Sequence, residues 1–260
     1  MILCLCAPNL KCTGRIFCRL RARTEKRKGF VMKINTKTIV TLSMLGALAY
    51  VAMYFIRIPI MPAAPFLKLD PKDVILAIGG FLYGPVHALF MIIVVAFAEM
   101  ISVSESGWIG MLMNVISSVS FVCTAAIIYR LKRSLRGAVM GLIAGCIAMT
   151  SVMLLWNFII TPLYMYMGPM LLEVSQKRAE VAKMLLPVFL PFNLIKSSLN
   201  AAITMLLYKP AATALRRGKL YPDGEGEETA PAKLMTGVAV VSIFVIISIA
   251  LVIMIIQGKI

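Results

Sequence analysis

The sequence predicts an all-α, polytopic membrane helical bundle: a six-helix core followed by a seventh, C-terminal helix. Of the 260 residues, 60% are apolar and 15% are charged, and the mean hydropathy is +0.91. A soluble domain has roughly 45–50% apolar and about 25% charged residues. Apolar runs of about twenty residues recur from Thr38 onward, and a helix of that length crosses a hydrocarbon core of ~30 Å. A soluble globular enzyme, a disordered protein and a disulfide-stapled secreted domain are therefore excluded.

Residues 1–31 form a basic N-terminal extension ahead of the predicted bundle. Eight lysines and arginines stand against Glu25 alone, so this stretch carries +7 of the formal net charge of +16. It contains no apolar core of signal-peptide length and no small-residue cleavage site, and so does not resemble a secretory signal. Two interpretations stay open: an arginine-rich arm, or a mis-assigned start with translation beginning at Met32.

The first three predicted helices surround a proline-rich segment. The first helix, 38–56, is rich in small residues. The segment 57–73 contains four prolines, which lack the backbone N–H and restrict the preceding residue, so we expect a loop there. The second helix, 74–83, is short. Gly84 and Pro85 separate it from the third helix, which continues to residue 103.

The rest of the chain alternates apolar runs with polar connections. The fourth predicted helix is 108–129, the fifth is 137–164 and the sixth is 184–208, and the final apolar run is 234–256. The connections are predicted to be a tight turn at 104–107, a basic loop at 130–136 and a polar stretch at 173–183. The predicted domains are the extension 1–31, a membrane domain 32–209, an acidic linker 210–233 and an additional helix 234–260.

Basic residues predict how the bundle is oriented. Lysines and arginines cluster before the first helix, after the fourth and after the sixth, and six alternating helices bring these three places to one side. The positive-inside rule makes that side the cytoplasm. We therefore expect a multi-pass protein of the bacterial cell membrane with a cytoplasmic N-terminus. Because topology accounts for the charge, we do not expect nucleic acid as a partner.

Polar side chains inside the predicted spans indicate a binding site. Lys196 lies deep in the sixth helix, where a central charge costs roughly 2.5–3.5 kcal/mol on insertion scales. Asn193 and Asn200, at spacings of three and four, share its helix face, and Asn114 and Asn157 add amides in neighbouring helices. A single asparagine is more often an interhelical hydrogen-bond partner, but a lysine with two asparagines on one face favours a cavity for a polar ligand.

Acidic residues are scarce in the predicted spans, and catalytic motifs are missing. Glu99 is the one candidate partner for Lys196, and Glu99 and Glu105 are otherwise expected to be solvated rim residues. The chain has a single histidine, His87, and lacks His-Glu-x-x-His, Gly-x-Ser-x-Gly and P-loop motifs. We therefore expect no enzyme activity, no metal site, no cofactor and no ATP hydrolysis by this chain itself.

Several segments resemble the substrate-binding S components of energy-coupling factor (ECF) transporters. The run Pro65–Val74 (PFLKLDPKDV) and the Gly-Gly-Phe-Leu-Tyr-Gly-Pro that follows it are similar to the family's first loop and second helix. Leu190–Lys196 (LPFNLIK) resembles the last helix of the riboflavin-specific member. Asn157 and Asn114 match positions in the fifth and fourth helices of that member.

The resemblance covers about residues 32–209 and implies a six-helix subunit that captures riboflavin outside the cell. It implies docking on an energising module made of a transmembrane coupling protein and two ATPases. The ligand-binding residues it implies are Leu67, Lys68, Leu69, Asp70, Asn114, Asn157, Tyr164, Asn193 and Lys196. The partner-contact residues it implies are Ser43, Gly46, Ala47 and Ala49.

The chemistry of these side chains agrees with a flavin ligand. An asparagine amide offers a donor and an acceptor to the alternating carbonyl and N–H edge of the ring, and a lysine ammonium donates to a carbonyl oxygen. Two alternatives stay open: an S component for another vitamin or small nutrient, and a non-transport integral membrane enzyme. A cavity lysine disfavours the thiamin cation, and the missing motifs disfavour the enzyme.

Overall fold

The computed structural model describes residues 36–60, 67–103, 107–164, 174–218 and 232–256. Within these ranges the chain forms a helical bundle with one short pair of strands. The helices are α1 (Thr36–Phe55), α2 (Lys72–Tyr83), α3 (Pro85–Ser102), α4 (Gly107–Lys132), α5 (Leu135–Tyr164), α6 (Val174–Met184), α7 (Leu190–Arg217) and α8 (Ala232–Ile256). The strands β1 (Ile58–Pro59) and β2 (Lys68–Leu69) pair antiparallel, with Ile58 opposite Leu69.

Length and composition confirm the predicted all-α membrane bundle. Among the described residues, five helices are long and apolar enough to cross a membrane, and they correspond to α1, α3, α4, α5 and α7. The second predicted helix is short, as expected, because the positive φ of Gly84 and the proline that follows end α2 and begin α3. The extension 1–31 and the predicted turn residues 104–106 lie outside the described residues.

Two predicted connections are helical instead. The polar stretch at 173–183 forms α6 from residue 174, and its Val181 is only 1% exposed and packs in an apolar cluster with Phe192 of α7. A five-residue π turn, Leu185–Phe189, then joins α6 to α7. Helix α7 corresponds to the sixth predicted helix but continues past residue 208 to Arg217, since Ala212 still packs in the core. The predicted linker 210–233 therefore begins as helix.

A second π turn, Val119–Cys123, interrupts α4. A π turn adds a residue to the helical repeat and is frequent at functional sites. Here the turn in α4 begins two residues after Ser117, and the turn between α6 and α7 ends three residues before Phe192. Both distortions therefore lie beside the residues that line the cavity described below.

Apolar side chains are buried in two clusters. The larger cluster lies between α1, α2, α3, α4, α5 and α7. The smaller, here called the cavity-end cluster, joins residues 57–60 and 67–70, here called the β1–β2 segment, to α6, the π turn after it, and α7. Its buried members are Ile60, Leu67, Leu69, Val181, Val188, Phe189 and Phe192.

The bundle has two ends of different character. At the cavity end lie the β1–β2 segment, the start of α2, the end of α3 and the start of α7. At the opposite end, here called the basic end, lie residues 130–136, where α4 ends and α5 begins, and residues 209–217. The Tyr129 hydroxyl is hydrogen-bonded to the Tyr208 hydroxyl there, and the ring of Phe81 packs against both tyrosine rings.

Candidate ligand-binding site

A cavity opens at the cavity end between the β1–β2 segment and helices α3, α4, α5 and α7. Its empty volume, which includes open solvent at the mouth, is about 600 Å³. The residues that line it are Arg57, Leu67, Lys68, Asp70, Glu99, Gly110, Met113, Asn114, Ser117, Met153, Phe192, Asn193 and Lys196. The wall therefore combines apolar side chains with a small number of charged and amide groups.

Lys196 has an acidic partner that the sequence analysis did not identify. Its Nζ donates to Asp70 Oδ2 at 2.9 Å, and both side chains are buried. We expected only Glu99 to be available, and that expectation is wrong. Asp70 lies 126 positions away, in the connection before α2 rather than in a span, so an inspection of each span by itself does not find it.

Charge decides the protonation state of Asp70. Burial by itself raises the pKa of this carboxyl, but the neighbouring Lys196 ammonium, helped by Lys72 and Arg57, lowers it further than burial raises it. The pKa of Asp70 therefore lies below its ordinary value of 3.8. At neutral pH the group is a carboxylate that accepts hydrogen bonds.

One oxygen of Asp70 remains available to a ligand. Asp70 Oδ1 is buried and has no hydrogen-bond partner among the described residues, which is costly unless another molecule satisfies it. Asn193, 1% exposed, donates its amide N–H to the Phe189 carbonyl at 2.8 Å and lines the same cavity. Asp70, Asn193 and Lys196 thus bring an acceptor, an amide and an ammonium together in one cavity.

A second buried charge group lies on the other side of the cavity. Glu99, 2% exposed, accepts a hydrogen bond from the Lys72 ammonium, and Arg57 Nη2 lies 3.5 Å from Glu99 Oε1. Arg57 also donates from Nη1 to the Val103 carbonyl at 3.2 Å. The prediction that Glu99 is a solvated rim residue is wrong, because α2 and the β1–β2 segment enclose it with two cations.

Further polar residues, which do not line the cavity, hold the connection that carries Asp70 in place. Asn200 Nδ2 lies 3.5 Å from the Asp70 carbonyl and 3.5 Å from Asp73 Oδ2, which ties α7 to the start of α2. Ser118 donates to the other oxygen of Asp73. Asp73 and Asn200 do not line the cavity, so they position the Asp70 connection rather than contact a ligand.

The structure places six of the nine predicted ligand-binding residues on the cavity wall. These six are Leu67, Lys68, Asp70, Asn114, Asn193 and Lys196. Leu69 is buried in the cavity-end cluster. Asn157 is fully buried and bonds within α5: its Nδ2 donates to the Met153 carbonyl, and Thr161 donates to its Oδ1, both at 2.8 Å. The side chain of Tyr164 lies outside the described residues.

Sequence reasoning missed several lining residues. Arg57 directly follows an apolar run, and Glu99 lies within one; two opposite charges at such positions could have been paired from the sequence. The apolar lining residues Met113, Met153 and Phe192 carry no signal that separates them from ordinary core residues. Among the described residues, no group of three His, Cys, Asp or Glu side chains could hold a metal ion.

The predicted partner-contact residues of α1 divide into two pairs. Ser43 and Ala47 are exposed. Gly46 and Ala49 are buried within the bundle, and a Cβ at Gly46 would lie 3.7 Å from Val95. These two small residues therefore serve helix packing inside the chain, and only Ser43 and Ala47 are accessible to a partner.

Comparison with known proteins identifies the family. Residues 37–208 match the family model described as "ECF transporter, substrate-specific component". The chain is 32% identical over 184 residues to the riboflavin transporter RibU of Staphylococcus aureus (strain TCH60). This alignment covers 70% of this chain and 94% of the relative. It is 28% identical over 180 residues to the riboflavin transporter FmnP of Bacillus subtilis (strain 168), covering 67% and 92% respectively.

A solved structure gives the same result. It is described as the S component of a bacterial ECF transporter, and it aligns with a TM-score of 0.56 and 32% sequence identity over 69% of this chain and 98% of that one. Sequence and fold thus agree on the family. The chain therefore belongs to the family of substrate-specific components of ECF transporters.

Proposed function

We propose that this chain, as a member of that family, is a riboflavin-binding membrane subunit that works with an ATP-driven energy-coupling module. The observation that carries the proposal is the convergence of Asp70, Asn193 and Lys196 on one cavity. Two of these residues belong to the Leu190–Lys196 segment that resembles the riboflavin-specific member. The two relatives reported above, both named as riboflavin transporters, align with this chain over at least nine-tenths of their own length.

The hydrogen-bonding groups of the cavity suit a flavin. Lys196 uses one of its three N–H groups on Asp70, which leaves donors for a ring carbonyl. Asp70 Oδ1 accepts from a ring N–H or a ribityl hydroxyl, and Asn114 and Asn193 supply amides. Met113, Met153 and Phe192 provide apolar surface for a flat ring. Donors, acceptors and apolar walls thus correspond to the parts of riboflavin.

The charge of the cavity favours an uncharged ligand over a cationic vitamin. Three basic residues, Arg57, Lys68 and Lys196, line it against two acidic residues, Asp70 and Glu99. A cation such as thiamin would meet an excess of positive charge in a site of low dielectric, where repulsion between like charges is strong. This argument supports riboflavin over thiamin as the transported ligand.

Family membership supports the proposed partner, and the positive-inside rule supports the proposed orientation. The cavity end faces outside, so the subunit takes up riboflavin from the medium at the bacterial cell membrane, and the N-terminus is cytoplasmic. Inward delivery requires the transmembrane coupling protein and two ATPases. The exposed small residues Ser43 and Ala47 of α1 form part of the surface that docks on the coupling protein.

Riboflavin titration of the protein purified in detergent tests this function. Bound riboflavin gives a yellow preparation, and the fluorescence of added riboflavin is quenched with one-to-one stoichiometry. Asn193→Ala weakens binding at least about tenfold, because a buried polar partner of the ligand is lost. Leu194→Ala is the matched control, since Leu194 is the next residue of α7 and 44% exposed. A folded protein that ignores riboflavin but binds another vitamin contradicts the proposal.

A further inference from the structure

Helix α8 is not accounted for by the family or by the proposed function. The family match ends at residue 208, and the Staphylococcus aureus relative is 94% covered by 70% of this chain. Residues 232–256 therefore add a helix beyond the part that the relative shares. A segment that is foreign to the matched region but packs beside the binding site is a candidate for a separate role.

The contact partner of α8 is the helix that carries the site. Among the described elements, α7 is the one with which α8 makes extensive contact, and α7 bears Asn193 and Lys196. The span that contains α7 is also the least apolar of the five that are long and apolar enough to cross a membrane. Covering it with α8 keeps part of a comparatively polar helix away from lipid.

The packed face of α8 follows a heptad pattern. Among the described side chains of α8, the less exposed ones are Ala239, Ser242, Val245, Ile246, Ser248, Ile249 and Ile253. Five of them, Ala239, Ser242, Ile246, Ile249 and Ile253, form one stripe along the helix. Their spacings of three, four, three and four residues are those of the a and d positions of a coiled coil, which interlock with a neighbouring helix. The opposite face, represented by Ile243, Phe244 and Ile247, is 48–70% exposed and apolar, as a lipid-facing surface requires.

Ile253 connects this seam to the cavity wall. It packs against the cavity-end cluster, whose members Leu67 and Phe192 also line the cavity. A displacement of the cluster therefore changes the wall against which a ligand lies. The chain of contacts runs from α8 through Ile253 to the cluster, and from the cluster to the cavity.

We infer that α8 is an intramolecular clamp that slows ligand release, with Ile253 as its positioning residue. The inference rests on the proposed function, since the ligand concerned is riboflavin. By packing on α7 and, through Ile253, on the cavity-end cluster, α8 disfavours displacement of the Leu67 and Phe192 side chains that form part of the cavity wall. The clamp acts on the dissociation rate more than on association, because packing behind the wall does not obstruct the mouth.

Matched substitutions in the full chain test the clamp. Ile253→Ala removes the side chain that reaches the cluster, whereas Ile247→Ala makes the same change on the 54% exposed, lipid-facing side of the same helix. We expect Ile253→Ala to raise the riboflavin dissociation rate about three- to tenfold, with little change in the association rate, as is usual for altered packing around a bound partner. Ile247→Ala leaves both rates unchanged, and Ile253→Leu restores slow release.

The outcomes separate this inference from the proposed function. If the unaltered protein binds no riboflavin, the proposed function is wrong and the clamp is excluded with it. If it binds riboflavin and Ile253→Ala releases it at the original rate, the clamp alone is wrong. Equal acceleration by Ile247→Ala, or a fall in the thermal midpoint of the unliganded Ile253→Ala protein that Ile253→Leu does not reverse, also overturns the positioning role.

Discussion

The two ends of the bundle are stabilised by different interactions. At the cavity end, ion pairs and amides are buried, and one carboxylate oxygen of Asp70 has no partner among the described residues. At the basic end the contacts are aromatic rings, and between that end and the middle of the bundle two glycines of α5 face backbone carbonyls of α4. A Cβ at Gly141 would lie 2.6 Å from the Ala125 carbonyl oxygen, and one at Gly145 would lie 2.7 Å from that of Phe121.

This contrast indicates how one small bundle both holds a ligand and remains folded. Polar partners can exchange a protein group for a ligand group at little net cost, because each hydrogen bond is replaced by another. Glycine–carbonyl contacts allow no such exchange, since the two helix backbones are already at van der Waals distance. The basic end is therefore the fixed frame, and the cavity end is the part adapted to binding.

The largest expected effect follows removal of Lys196. Lys196→Met leaves the Asp70 carboxylate buried without its cation, which costs about 3–5 kcal/mol of stability, and it removes a donor to riboflavin. We expect binding to be lost and the thermal midpoint to fall. The double variant Lys196→Met with Asp70→Asn should recover the midpoint but not binding, as measured by thermal denaturation and riboflavin titration in parallel. Recovery of binding would contradict a ligand role for Lys196.

Replacing Glu99 should have the next largest effect. Glu99→Gln leaves the Lys72 ammonium, which is 2% exposed, without a carboxylate, at a cost of about 3 kcal/mol. Because Arg57 also loses its partner at the cavity wall, riboflavin affinity should fall as well. Combining Glu99→Gln with Lys72→Met should restore most of the lost stability. If Glu99→Gln alone unfolds at the original temperature, the buried network does not stabilise this end.

A pair of glycine substitutions tests whether the close packing of α4 against α5 stabilises the bundle. Gly141→Ala places a Cβ against a carbonyl of α4, and overpacking of this kind costs about 1–3 kcal/mol. Gly46→Ala is the matched change in α1, where the new Cβ meets Val95 at an ordinary 3.7 Å, so stability should be unchanged or slightly higher. Thermal denaturation in detergent compares the two. Equal midpoints for both variants would show that α4 and α5 can separate without loss.

The smallest expected effect concerns the aromatic contact at the basic end. Tyr208→Phe removes the hydroxyl that is hydrogen-bonded to Tyr129 while keeping the ring that packs on Phe81. We expect a loss of about 1 kcal/mol and unchanged riboflavin affinity, because the pair does not line the cavity. A clear change in affinity would mean that the two ends are coupled.

The two ends also differ in how far the sequence predicted them. Apolar run lengths and the prolines, together with Gly84, located α1, α2 and α3 to within about two residues, since a span needs a fixed length of apolar helix. The polar face of α7 also predicted Asn193 and Lys196 on the cavity wall. The same reasoning failed for α6, because a stretch of mixed charge has the sequence pattern of a loop. The helix becomes evident only in the tertiary structure, where Val181 packs in an apolar cluster.

By itself, the sequence determined the membrane bundle, the polar face of α7 and the resemblance to a transporter family, because each of these depends on patterns local to one segment. Only the tertiary structure decided that Lys196 pairs with Asp70, that Glu99 is enclosed by Lys72 and Arg57, and that Asn157 bonds within its own helix. It also placed α8 on α7. Partners of this kind lie far apart in the chain, and a helical periodicity reports which face is polar but not which distant group that face will meet.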